Sequence, residues 1–274
     1  MNKKSREIKI KEQLSKAPKT WIFQIIAALI FVMLVVWSSG TVKFTGLAEG
    51  GMDVAKNIIG GIFKPDKELL FNLTKQGVPY LLLETMCIAF LGTIVGAILA
   101  IPIAFLSATN IVPKPIALIG RILIMAIRTI PAFVYALMFI RVTGQGAFTG
   151  LLTMSLCSIG MVSKMYIEAI EDIDTRILES LDACGCTTFQ KIRYGILPQL
   201  MPDFASTIIY RFDMNLRDAT ILGIVGAGGI GAPLMFAMNA YRWNEVGAIL
   251  TGLIVLVLII EWLSGKIRIK LARG

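Results

Sequence analysis

Long apolar runs separated by short polar ones dominate this chain, and their lengths decide what they can be. A bilayer core about 30 Å thick needs roughly 20 mostly apolar residues per helix. Six segments meet that requirement: residues 21–38, 78–108, 116–142, 147–170, 198–225 and 246–263. The second is long enough to be broken near Pro102, and Pro102 and Pro131 are expected to kink the second and third. The tryptophans Trp21, Trp37, Trp243 and Trp262 all fall at or near the ends of these segments, where a membrane-interface belt puts them. The pattern predicts an all-α integral membrane protein with six transmembrane helices and no soluble domain between them.

Composition agrees. Of the 274 residues, 56% are hydrophobic and 16% charged, and the mean hydropathy is +0.75. A soluble domain carries about 25% charged residues. The net charge of +9 is gathered at the ends rather than along a stripe, which argues against a nucleic-acid surface. Lys3, Lys4, Arg6, Lys9, Lys11, Lys16 and Lys19 precede the first run, and Lys266, Arg268, Lys270 and Arg273 follow the last. Basic flanks mark the cytoplasmic side, and an even number of spans returns both ends to it. The expected order is a basic cytoplasmic stretch (1–20), a first span (21–40), an extracytoplasmic amphipathic segment (41–77), a permeation core (78–265) containing a cytoplasmic loop (171–198), and a basic cytoplasmic tail (266–274). Segment 41–77 departs somewhat from the charge rule, with five lysines against four acids. It reads as lying on the outer surface. The first run exceeds the usual ~7–15 residues of a signal-peptide apolar core, so a retained anchor is expected.

Little in the chain could do catalysis. It contains no histidine, which removes the usual general base and metal ligand. Cys87 and Cys157 sit in apolar runs, and Cys184 and Cys186 form a C-x-C without zinc-site spacing. No metal and no cofactor is expected. Gly226, Gly228 and Gly231 satisfy G-x-G-x-x-G, but a charged membrane helix precedes them where a nucleotide site needs a strand. With Gly229 they read as a flexible turn at the outer end of the fifth span, able to let the chain re-enter or meet a partner. A plain tight loop is the alternative. A phosphate-binding G-x4-G-K-[ST] is missing, so any ATP-derived energy must come from another protein.

The polar loop 171–198 is where such a protein could act. Ile177, Leu178 and Leu181 give a narrow apolar face over 175–183. Gly185 permits a left-handed bend, and Pro198 suits the first turn of the following helix. The loop resembles the E-A-A-x3-G-x9-I-x-L-P segment of ATP-binding-cassette importer permeases. Glu179, Gly185, Leu197 and Pro198 fall at its positions. Ser180 and Leu181 replace the two alanines, and Gly195 replaces the isoleucine. Further stretches resemble the phosphonate-type permeases: RTIPAFVYALMF (128–139), KMYIEAIEDID (164–174), IRYGILPQLMP (192–202) and YRFDMNLRDATILGIVGAGGIG (210–231).

The resemblance implies a type I importer permease fold and a pairing with a second permease copy, forming a homodimer in the lipid bilayer. It also implies cytoplasmic ATPase subunits and an extracytoplasmic substrate-binding protein. The cargo would be phosphonate, phosphite or phosphate. The coupling role would fall on Glu179, Asp182, Ala183, Gly185, Leu197 and Pro198. An ion-coupled secondary transporter or anion channel is the rival class.

Charges inside the predicted spans need partners, since each costs at least ~2.5–3.5 kcal/mol at the bilayer centre. The third span holds Arg128, and the fifth holds Arg211, Asp213, Asn215, Arg217 and Asp218. Asp213 and Arg217 are one turn apart and can pair, while Arg211, Asn215 and Asp218 share a second face. At 1.5 Å per residue, Arg211 lies ~20 Å and Arg217 ~28 Å from Pro198. Either these arginines line a passage for an oxyanion, which a guanidinium suits, or they form an ion-pair network holding the third and fifth spans together.

Overall fold

The computed structural model describes residues 20–41 and 50–272. The basic cluster at 3–19, the start of the amphipathic segment at 42–49 and Arg273 lie outside the described residues. Every regular element among those described is helical. The chain separates into two units, residues 1–53 and 54–274. In the first, α1 (Thr20–Thr41) is apolar on all sides and exposed along residues 21–40.

The second unit is a helical bundle. After α2 (Gly51–Phe63) and the short α3 (Lys67–Phe71), its two central helices are α4 (Val78–Ser107) and α7 (Ala147–Glu171). Because α4 is apolar around its whole circumference, hydrophobicity cannot choose its buried face. Size does. Ala89, Gly92, Thr93, Gly96, Ala97, Ala100 and Ala104 are buried, whereas Leu83, Phe90, Leu91, Ile98, Leu99 and Leu106 are exposed. Helices in lipid gain little from burying apolar surface against each other, so they associate where small residues let backbones approach. At Gly96 an added Cβ would stand 2.7 Å from the Ser155 carbonyl oxygen of α7, and at Gly92 it would run into Met154. The helix continues unbroken through Pro102, so the expected break there does not occur.

The third predicted span is two helices, α5 (Lys114–Thr129) and α6 (Ala132–Thr143), bent by 84° to one another. Pro131 donates no hydrogen bond, and its ring drives the preceding residue out of helical geometry. Ile130 accordingly takes φ −89° and ψ 122°. The kink expected from sequence is thus a full corner.

Residues 175–196 connect α7 to α9 (Leu197–Ile224), and α10 (Gly231–Asn239) and α11 (Trp243–Ala272) complete the fold. Among the described residues, four helices (α1, α4, α7 and α11) are long and apolar enough to cross a bilayer, and the bent α5–α6 pair makes a fifth if counted once. Helix α9 has 28 residues but carries five charges, Asp203, Arg211, Asp213, Arg217 and Asp218. It is long enough to span but falls outside the four or five apolar spans, so the expected count of six is approximate. The last helix outruns the predicted 246–263, and its final turns carry the basic tail, with Lys266 Nζ 3.8 Å from the Trp262 ring centre.

Candidate functional site

The 171–198 loop is built from capping chemistry. Asp174 accepts from Arg176 N–H at 3.0 Å and starts α8 (Thr175–Ala183). The Arg176 side chain donates to both Asp174 oxygens, holding that exposed carboxyl below its usual range. At the other end, Gly185 N–H donates to Asp182 O (2.9 Å) and Cys186 N–H to Leu181 O (3.1 Å). This double bond pattern is a Schellman stop, and it needs a left-handed residue between. Gly185 supplies it at φ +74°, with open space where a Cβ would go. Glycine is therefore required at the bend by conformation and not by crowding.

After the bend, Thr187 and Gln190 form a reciprocal capping box. One helical turn then passes through a π-turn, Lys191–Ile196, directly into α9. Leu197 N–H reaches back five residues to Ile192 O. Pro198 sits in the first turn of α9, and the loop's second helix and the fifth span form one rod. Lys191 pairs with Asp182 across the bend. Glu179, Ala183 and Cys184 are exposed, while Leu178, Leu181, Ile192 and Leu197 are half-buried.

Two of the three departures from the importer motif, Leu181 and Gly195, touch each other. A Cβ on Gly195 would collide with Cδ1 of Leu181. Where the pattern pairs a small residue at 181 with a large one at 195, this chain does the reverse.

The loop is rooted in the bundle through Leu178, Ile192, Ile196, Leu200 and Phe204, which join one apolar cluster with the ends of α4 and α7. The Tyr166 and Phe204 rings stack at 3.9 Å. Beside it, Glu171 accepts from Thr109 N–H (2.7 Å), Thr109 Oγ1 (2.5 Å) and Arg121 Nη2 (2.5 Å), tying α4, α5 and α7 at the end facing the loop. The sequence reading missed this clamp. Its only sequence trace is a carboxylate and an arginine at the edges of apolar runs.

Inside the bundle, Asp213 and Arg217 form the expected pair at 2.5 Å. Arg211 is 6% exposed and donates to Ser158 Oγ (3.4 Å) and Met161 Sδ (3.2 Å) of α7. Asn215, fully buried, donates to Thr93 Oγ1 (2.8 Å) and Ser158 Oγ (2.7 Å). Asp218 is half-buried and interacts electrostatically with Arg211. This polar seam joins α9 to α7 and α4. Arg128 takes no part in it. Its stem lies across Gly160, whose missing Cβ would stand 2.8 Å from Arg128 Cγ. The polar ties of α9 run to Ser158 and Met161 of α7 and to Thr93 of α4, with none to Arg128 among the described residues.

The glycine turn uses left-handed backbone at three positions. Gly226, Gly228 and Gly229 have φ of +93°, +83° and +77°. The turn is packed: Ala227 and Ile230 are buried, Gly226 O accepts from Gly146 N–H (2.9 Å), and Thr85 Oγ1 accepts from Ile230 N–H (2.9 Å). Gly231 begins α10 pressed against Thr220 and Ile224.

A bundle of this arrangement has the fold of an importer permease. The inward-facing methionine transporter MetNI contains a chain superposing with TM-score 0.60 at 20% identity, over 69% of this chain and 94% of that one. A chain of an amino acid ATP-binding-cassette transporter superposes at 0.56 and 19% identity, over 80% and 96%. In sequence, residues 92–264 fit the family described as binding-protein-dependent transport system inner membrane component, and the chain belongs to that family. It is 34% identical over 244 residues to the phosphite transport system permease protein PtxC of Stutzerimonas stutzeri, covering 88% of this chain and 86% of that protein. It is 35% identical over 189 residues to the phosphate-import permease protein PhnE of Mycolicibacterium smegmatis, covering 69% of this chain and 36% of that protein. The chain is thus a permease subunit of an ATP-binding-cassette importer, a class that works with a separate ATPase and a substrate-binding protein.

Proposed function

We propose that the cargo is a phosphorus oxyanion: phosphite, phosphonate or phosphate. The observation that carries this is the sustained identity with PtxC along most of both chains. Two copies of the chain pair in the membrane with their termini in the cytoplasm, and ATP is hydrolysed only on the partner ATPases. The 171–198 loop seats in the ATPase. Glu179 and the Gly185 bend are its contact points, which the exposed Glu179 and the rigid Schellman stop support. ATPase closure then tilts α9 through the continuous 188–224 rod.

The test is uptake of radiolabelled phosphite and phosphate by proteoliposomes holding the permease, its ATPase and its binding protein. ATP-dependent accumulation is expected. Accumulation by the permease alone, driven by an ion gradient, would refute the assignment. Native Cys184, exposed beside the bend, provides a crosslinking handle, and it should join the ATPase and no extracytoplasmic protein.

A further inference from the structure

Arg211 and Arg217 were the arginines best placed by depth to meet cargo, and both are engaged by protein groups. Arg128 is different. It makes no hydrogen bond or ion pair among the described residues, although it sits in the last turn of a membrane helix. It lines a cavity of about 430 Å³ between α5 and α7, together with Arg121, Lys164, Glu168 and Glu171 on otherwise aliphatic walls.

The charges in that cavity are ordered. Arg121 is held by Glu171 at 2.5 Å, and Lys164 lies 3.3 Å from Glu168. Two of the three cations are balanced, and the Arg128 guanidinium is left as the charge in excess. The cations also descend in steps. Arg128 lies at the level of Gly160, over which its stem passes. Lys164 is one turn further along α7. Glu171, with Arg121, is ~16 Å beyond Gly160 at 1.5 Å per residue. The cavity therefore runs from about mid-membrane to the end of the bundle that carries the 171–198 loop. Arg128 is exposed on this groove, whose nine lining residues are five charged and four apolar. At membrane depth an exposed guanidinium without a protein partner is costly unless an anion meets it, and its planar fork fits two oxygens of one phosphorus centre.

We propose that this groove is a binding site for a singly charged phosphorus oxyanion, with Arg128 as the principal ligand and Lys164 as the next station toward the inner end. The anion is either free cargo or the phosphate of an anionic lipid. The cargo form rests on the function proposed above; the lipid form does not.

The experiment uses the full importer with Arg128→Gln, Arg128→Lys and Lys164→Gln, reconstituted in phosphatidylcholine alone and in phosphatidylcholine with phosphatidylglycerol. Phosphite uptake and the phosphatidylglycerol retained in native mass spectra are both read. If cargo occupies the groove, Arg128→Gln lowers uptake tenfold or more in both lipid mixtures, Lys164→Gln lowers it less, and Arg128→Lys recovers part. If lipid occupies it, Arg128→Gln loses bound phosphatidylglycerol and uptake falls only in the mixed membrane. Lys164→Gln reports on the same groove if Arg128→Gln fails to assemble. Uptake and lipid retention unchanged in assembled Arg128→Gln and Lys164→Gln would overturn the site. A wild-type importer that takes up no phosphorus oxyanion would remove the cargo reading while leaving the lipid measurement to decide the site.

Discussion

If Leu181 and Gly195 exchange sizes relative to the importer motif, exchanging them back should be tolerated only as a pair. Gly195→Ile places a branched side chain where Leu181 Cδ1 already lies. Overpacking of this kind costs about 1–3 kcal/mol, offset by roughly 0.5 kcal/mol of better helix propensity. Leu181→Ala removes a half-buried side chain. Full burial would make that cost 2–5 kcal/mol, so about 1–2 kcal/mol is expected here. In the double variant the isoleucine fills the space the leucine leaves, and the coupling energy should be about 2–3 kcal/mol, within the range for touching side chains. Amide hydrogen exchange over residues 175–196 of the assembled importer reads this directly, since local opening sets protection. Each single change should lower protection about tenfold or slightly less, and the double should return to within about threefold of wild type. A double variant whose losses simply add would show that the two positions do not compensate.

Further expectations follow from other contacts. Gly185→Ala must hold a left-handed φ that costs an L-residue roughly 1–2 kcal/mol, so ATP hydrolysis should lose its coupling to uptake, with Gly185→Asn milder. Gly96→Leu should prevent α4 and α7 from meeting and abolish recovery of assembled complex on size exclusion, whereas Leu99→Ala on the exposed face should not. Pro131→Ala restores a donor at the α5–α6 corner and should relax the 84° bend, measurable as a longer spin-label distance between positions 118 and 142. Glu171→Gln weakens a three-donor acceptor. A loss of about 1–2 kcal/mol, reduced because the pair is partly exposed, should appear as a lower melting temperature.

Much of the fold was readable because bilayer thickness imposes a length on apolar runs, and the loop was readable because Asp174, Gly185 and Thr187 act through local geometry. The packing was not. The buried face of α4 is written in residue size, with no polar alternation to betray it, and Arg121 finds Glu171 across fifty positions that no local rule links. The arginines illustrate the same limit. Spacing paired Asp213 with Arg217, since one helical turn determines it, but the partners of Arg211 and the solitude of Arg128 depend on which helices turn a corner at Pro131. At the glycine turn the φ preferences were local and legible, whereas its partners Thr85 and Gly146 are far away in sequence.

The π-turn at Lys191–Ile196 has a mechanical consequence. By carrying the loop's second helix into α9 with no break in helical structure, it leaves 37 consecutive helical residues between Thr188 and Ile224, with Pro202 inside them, about 55 Å long if straight. A rocking of only ~5° about its inner end would sweep the outer end by about 5 Å, roughly the width of one helix turn. The stiff, glycine-packed cap at residues 226–231 is carried at that far end, so small strokes at one membrane face arrive enlarged at the other.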